Sequence, residues 1–141
     1  MPGGVRECLH LATGAETIFL RKRYGFVKLA LQHGAHLVPA FAFGQSDAFR
    51  FYRPRLPFGT SFLARRLGCA PILFWGRCCS PIPFAVPITI YVGTPIPVTK
   101  VAEPSDAAVS ALLHTFIEAM QALVEANKAA AGYPDMKLIV L

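Results

Sequence analysis

Apolar residues fall along this chain in two rhythms. From Val109 onward, Val109, Leu112, Leu113, Phe116, Ile117, Met120, Leu123 and Val124 recur at spacings of three and four, which draws one apolar stripe down a long helix. Glu103-Pro104-Ser105-Asp106 supplies its start, with Ser105 as the cap and Asp106 in the positive first turn, and Ala129 to Gly132 supplies its end. Burial of such side chains at ~1.5 to 3 kcal/mol each is where its stability must come from, because an isolated helix of this kind barely forms; it needs a sheet to pack on. A shorter helix is predicted where Val27, Leu29, Ala30 and Leu31 suit packing on a core, with Gly34 as the stop. The second rhythm is that of short strands. Leu37 to Phe43 is apolar throughout, interrupted by Pro39 and closed by Gly44, and a run without alternation predicts a strand covered on both faces. Pro87 to Val92, PITIYV, is rich in β-branched and aromatic residues, and the prolines that follow it suit an edge strand. Thr17 to Leu20 and the terminal Lys137 to Leu141 also read as strands. Basic loop, helix, turn and buried strand succeed one another from Arg21 to Gln45, the signature of an α/β fold.

Composition sharpens this picture. The 141 residues are 54% hydrophobic and 16% charged, against about a quarter charged in ordinary soluble domains, which points towards a membrane surface or an apolar ligand. The longest uncharged stretch, between Arg77 and Lys100, could cross a bilayer by length, but its prolines argue against a spanning helix; attachment from one side is expected. The net charge of +6 is bunched at Arg21-Lys22-Arg23, at Arg50, Arg53 and Arg55, and at Arg65-Arg66, clusters that suit anionic lipid, nucleic acid or the phosphates of a nucleotide-bearing molecule. Between Ser46 and Leu73 aromatics alternate with arginines, which suits either a membrane headgroup boundary or plain packing of an insertion over the core; no nucleic-acid-binding pattern accompanies them. Cys8, Cys69, Cys78 and Cys79 have no zinc spacing and read as small buried apolar side chains. His114 falls off the apolar stripe and is expected in solvent. His33 and His36 flank Gly34 at a spacing that more often holds no metal than one.

The opening residues MPGGVRE place a Pro-Gly-Gly turn where an α/β layer would need a strand before Pro2. That suggests either a frayed true start or the carboxyl part of something longer. Gly3 and Gly4 let backbone approach a ligand and Glu7 puts a carboxylate at the mouth of the turn, although an ordinary surface turn with a solvated acid has the same pattern.

Taken together, PGGVREC at 2–8, RKRYGFVKLALQHGAHLVPAFAFGQ at 21–45, PITIYVGTPIPV at 87–98 and the helix from Ser105 to Gly132 closely resemble the carboxyl half of the type-2 diacylglycerol acyltransferase family, which includes monoacylglycerol and wax-ester acyltransferases. The resemblance implies a single partial domain over 1–141: acceptor and basic blocks at 1–45, an irregular aromatic and basic insertion at 46–80, and strand, helix and terminal strand at 81–141. It implies an α/β fold with a partial glycerolipid-acyltransferase-like sheet and a long C-terminal amphipathic helix, the amino-terminal half of the fold missing. It also implies transfer of a fatty acyl group from acyl-CoA to diacylglycerol, without a cofactor, at the endoplasmic reticulum membrane or lipid-droplet surface. Pro2, Gly3, Gly4 and Glu7 match the acceptor-binding turn, and Pro39 falls in the strand block as a wall of the site. Arg21, Lys22, Arg23 and Lys28 match the basic block, expected to hold acyl-CoA phosphates. One departure stands out: the family's His-Pro-His-Gly, which supplies the base for the acceptor hydroxyl, does not occur in these residues. The expectation is an inactive fragment or, alternatively, a non-catalytic lipid or acyl-CoA binding module of the same fold.

Overall fold

A computed structural model describes residues 15–52 and 73–141. Its spine is the long helix α2, Asp106–Asn127, which begins where the sequence placed it: Ser105 Oγ accepts the Ala108 N–H at 3.2 Å, and Asp106 occupies the first turn. Val109, Leu113, Phe116, Met120 and Val124 are its buried residues. They run through three successive core clusters. The first joins Val109 and Leu113 to Val27 and Leu31 of helix α1, Tyr24–His33, and to Val98. The second joins Phe116 and Met120 to Leu20 and Val140, and the third joins Val124 to Phe43 and Met136. The ring of Phe26 meets Phe116 edge-on at 5.4 Å between centroids, so α1 and α2 interlock through aromatics as well as aliphatics. Among the described residues α2 is the one helix long and apolar enough to cross a membrane, yet its stripe is the face that holds the core together.

The shorter helix ends as expected, with Gly34 left-handed at its C-cap. Its apolar face differs in one residue from the expectation. Leu29 is 57% exposed, while Val27, Ala30 and Leu31 are buried, because a ten-residue helix at the surface of the core buries a narrow stripe and Leu29 lies outside it.

Among the described residues the strands form three two-stranded pieces, where the sequence suggested one partial sheet. β1, Ala15–Ile18, pairs in parallel with β6, Lys137–Val140, in the register Ala15↔Lys137 to Ile18↔Val140. β2, Ala40–Phe43, pairs antiparallel with β5, Thr89–Val92, and the reciprocal backbone bonds between Leu37 and Ile96 prolong this ladder past Pro39. β3, Arg50–Tyr52, and β4, Leu73–Trp75, form a third pair inside the stretch read as irregular. Among the described residues β5 has β2 as its one ladder partner, which leaves it the edge position that its flanking prolines suit. The β2 segment is not covered on both faces: Phe41, Phe43 and Tyr91 lie on the α2 side with Phe43 only 2% exposed, whereas Val38, Ile88, Ile90 and Val92 are 45 to 65% exposed.

Two further expectations need correction. Cys78 and Cys79 are exposed rather than buried. They sit on the tight turn Arg77–Cys79, both at φ 55, in a turn closed by the Ser80 hydroxyl donating to the Arg77 carbonyl at 2.6 Å, and such a turn holds side chains out from the core. Cys8 and Cys69 lie outside the described residues. The 46–80 stretch is partly regular: Phe49 packs edge-on against Phe74, and the Arg50 guanidinium lies over the Phe84 ring at 5.5 Å, while Tyr52 and Phe74 remain more than half exposed.

Candidate functional site

The basic block forms one structural unit. Leaving β1, the chain is pinned to the end of β6: the N–H groups of Leu20 and Arg21 both donate to the Leu141 carbonyl at 2.9 Å, and the Leu141 N–H donates to Ile18 at 2.9 Å. The Arg23 N–H then donates to the Leu20 carbonyl, and α1 starts at Tyr24. Arg21 and Lys22 project from this turn into solvent, Lys28 is exposed one turn into the helix, and the half-buried Arg23 stacks its guanidinium over Phe19 at 5.7 Å. No acidic residue occupies the first turn of α1 and no side chain caps it. A helix N-terminus carries positive partial charge and open N–H groups, so this turn adds cations where an anion is already favoured.

The remaining predicted residues are placed differently. Pro39 is fully buried; its carbonyl accepts the Gly93 N–H at 2.8 Å, and a Cβ at Gly93 would stand 2.8 Å from the proline Cγ and 3.6 Å from Leu123. Pro39 thus packs against the Gly93 backbone, which itself faces Leu123 of α2. Pro2, Gly3, Gly4 and Glu7 lie outside the described residues. His114 is in solvent, paired with Glu118 at 3.4 Å. His36 Nδ1 accepts the Val98 N–H at 3.1 Å, a latch between the strand approaches, and among the described residues no group of His, Cys, Asp and Glu is assembled to hold a metal.

The structure also builds a cleft of about 860 Å³ that none of the predicted site residues among those described lines. Glu16 comes from β1, Ser46 and Asp47 from the turn after β2, Arg50 from β3, Trp75 from β4 and Tyr133 from the α2–β6 connection. Phe49, Phe51 and Phe84 complete an aromatic side. Hydrogen bonds tie the polar side together: the Ser46 hydroxyl donates to Glu16 Oε1, and the Tyr133 hydroxyl donates to Asp47 Oδ2 at 2.6 Å. Burial pushes the Glu16 carboxyl above the usual range; the Ser46 hydroxyl pulls the other way, and the Asp47 charge adds to the rise. Tyr133 is raised above the usual phenol value, chiefly because its proton is held by Asp47. Gly44, at φ 86, makes the turn possible, since a Cβ there would meet the Pro87 carbonyl oxygen at 2.3 Å.

Sequence reading missed this cleft because its parts lie 30 and 86 residues apart in the chain. The local signal was slight: Gly44-Gln45-Ser46-Asp47 directly after a strand is turn chemistry, and polar side chains in such a turn stand at the sheet's end. The cleft and the basic turn are linked through β1. Arg21 follows Glu16 by five residues, which bounds their Cα separation at roughly 18 Å.

Chemically the two regions are opposites. The turn offers exposed cations; the cleft offers carboxylates, hydroxyls and rings, with one guanidinium.

The sequence profile described as Diacylglycerol acyltransferase matches residues 1–141, the whole chain. Among curated proteins the chain is 37% identical to 2-acylglycerol O-acyltransferase 3 of Homo sapiens, over 95% of this chain and 42% of that protein. It is 32% identical to Acyl-CoA wax alcohol acyltransferase 2 of Mus musculus, over 99% of this chain and 44% of that protein, and 34% identical to Diacylglycerol O-acyltransferase 2 of Xenopus tropicalis, over 97% and 41%. The chain thus spans less than half the length of these relatives. No solved structure matches. On the full-length profile match and the relatives' identity, this chain belongs to the diacylglycerol acyltransferase family.

Proposed function

We propose that this chain is the acyl-CoA-gripping portion of an acyltransferase of neutral lipid synthesis, acting at the endoplasmic reticulum membrane or lipid-droplet surface. The reaction moves a fatty acyl group from acyl-CoA to diacylglycerol. The acceptor oxygen attacks the thioester carbonyl, the C–S bond breaks, CoA leaves as a thiolate, and a base relieves the attacking hydroxyl of its proton. In this reading Arg21 and Lys22 hold CoA phosphates at the N-terminus of α1, with Lys28 beside them, while Arg23, braced on Phe19, shapes the turn. Pro2, Gly3, Gly4 and Glu7 serve the acceptor, and Pro39 supports the site from behind.

The observation that carries the proposal is the basic turn itself: exposed cations gathered at a helix start that has no acid and no side-chain cap, in a chain whose whole length matches this family. The His-Pro-His-Gly expected to supply the base does not occur in these residues; of the described histidines, His36 is engaged as an acceptor, His114 faces solvent beside Glu118, and His33 is exposed at the end of α1. The 141-residue chain alone is therefore expected to bind acyl-CoA without turnover.

The test is a titration of the purified chain with a fluorescent acyl-CoA, beside the variant Arg21→Glu/Lys22→Glu. Two reversed phosphate contacts should weaken binding by about ten-fold or more, and binding by the parent chain should fall as salt rises. Equal affinity of parent and variant would remove the assignment. Triacylglycerol made by the purified chain from acyl-CoA and diacylglycerol would remove the inactivity clause and leave the binding clause standing.

A further inference from the structure

We propose that the cleft between Glu16, Asp47 and Trp75 binds the alcohol acceptor, a neutral acylglycerol carrying a free hydroxyl, with the hydroxyl at the carboxylate side and the acyl chain along the aromatic side. The assignment rests on the proposed acyl-transfer function; beside the acceptor turn proposed at Pro2, Gly3, Gly4 and Glu7, which lie outside the described residues, it adds a further acceptor-binding surface distinct from the basic turn.

The argument begins from volume and lining. A cleft of about 860 Å³ lies within the range of small-molecule sites, roughly 300 to 1,000 Å³. One side presents Phe49, Phe51, Trp75 and Phe84, a surface for an apolar chain. The other presents Glu16, Asp47 and Asp135, with Ser46 and Tyr133. A carboxylate only accepts hydrogen bonds, and each of Glu16 and Asp47 takes one from within the protein, Ser46 and Tyr133 respectively. Each retains further acceptor capacity, which a hydroxyl can fill and an ester or hydrocarbon cannot.

Charge sorts the substrates. Among the described residues the cleft sets three carboxyl groups against the single guanidinium of Arg50, itself laid over the Phe84 ring. An anionic headgroup or the phosphates of CoA would meet net repulsion there and attraction at the Arg21-Lys22 turn. A neutral polyol meets neither obstacle. The two regions therefore divide the two substrates by charge, anionic donor to the turn and neutral acceptor to the cleft, while β1 runs from one to the other.

The chain contains a single tryptophan, and Trp75 lines the cleft, so its fluorescence reads occupancy directly. The full 141-residue chain is titrated with a monoacylglycerol brominated on its acyl chain, kept below its micelle-forming concentration. Saturable quenching is expected. Asp47→Asn, which keeps an oxygen for the Tyr133 hydroxyl but loses the charge, should weaken it by about ten-fold. Should that variant fail to give the parent's circular dichroism spectrum, Glu16→Gln carries the same expectation. Arg21→Glu/Lys22→Glu should leave the quenching unchanged. A brominated alkane with no hydroxyl, or a brominated lysophosphatidate, should quench at least ten-fold more weakly. Absence of saturable quenching, equal quenching by the alkane, or preference for the phosphate would each overturn the assignment. The outcomes separate from those of the proposed function: loss of acyl-CoA binding in the basic-turn variant without acylglycerol quenching sinks the cleft alone, and acylglycerol quenching with no acyl-CoA binding by the parent sinks the donor reading alone.

Discussion

Gly44 and Gly132 offer a controlled comparison of what a methyl group costs at the edge of the cleft. Both have positive φ, 86 and 87, and both line the cleft. At Gly132 an added Cβ meets nothing within 4 Å, so Gly132→Ala carries only the penalty for an L-residue in the left-handed region, about 1 to 2 kcal/mol. At Gly44 the same atom would stand 2.3 Å from the Pro87 carbonyl oxygen, well inside the 3.0 Å at which something must shift, and 3.2 Å from the Tyr133 hydroxyl. Pro87 is backbone at the head of β5, and the last ladder pair there is Phe43↔Thr89. Relief therefore means parting the end of the β2–β5 ladder beside Phe43, whose ring contacts both Tyr91 and Tyr133. Adding that separation to the conformational penalty gives on the order of 3 to 5 kcal/mol for Gly44→Ala, in the range of severe core damage. Urea unfolding followed by circular dichroism reads the difference: with a slope of ~1 to 3 kcal/mol per molar, the Gly44→Ala midpoint should lie about 1 M below that of Gly132→Ala. Coincident midpoints would show that the approach of Pro87 to Gly44 is not a fixed feature of the fold, and the geometry assigned to the Ser46-Asp47 turn would fall with it.

Two further outcomes follow from named contacts. Ser105→Ala removes the oxygen that accepts the Ala108 N–H and should cost about 0.5 to 2 kcal/mol, with Ser105→Asp restoring most of it; an Ala variant as stable as the parent would show that α2 is held by its stripe alone. Glu16 titrates above its unfolded value because burial disfavours the charged form, so the native state binds the extra proton. Its contribution is fully present below the unfolded value of 4.5 and is lost as pH rises through the elevated folded value. Glu16→Gln should therefore flatten the stability profile in the window just above pH 4.5 and raise neutral-pH stability relative to the parent, and a profile that keeps the parent's slope would refute the half-buried placement of this carboxyl.

The helices were legible in the sequence because their determinants are local. Ser105 caps, Gly34 stops, and the three-four spacing from Val109 to Val124 decides which face is buried, each readable within a few residues. Leu29 was misplaced because propensity and spacing do not say how wide a stripe the partner covers. The basic turn was equally local. The cleft was not, for Glu16, Asp47 and Tyr133 meet only after β1, the β2 turn and the α2–β6 connection are assembled, and no periodicity records a meeting across that much chain. Cys78 and Cys79 failed for a related reason. Their residue type favours burial, but their conformation is set by a turn around Gly76, where a Cβ would strike the Ile82 carbonyl oxygen.

The strand Leu37 to Phe43 makes the deeper point about what a pattern encodes. Its unbroken apolar run calls for cover on both faces, and the same demand is made by Ile88, just before β5, and by Ile90 and Val92 within it, on the side away from α2. The described residues answer on one face only. Those three side chains remain 53 to 65% exposed, and at ~1.5 to 3 kcal/mol for full burial of each the uncovered face leaves on the order of 3 to 5 kcal/mol of transfer energy unused. The same ladder holds Phe43 at 2% exposure on its other side, so the strand is not simply misread as buried; one half of its requirement is met to the full. Hydrophobic pattern thus specified how much surface the β2–β5 pair must hide, while the identity of what hides it lies in contacts that alternation, spacing and composition do not carry.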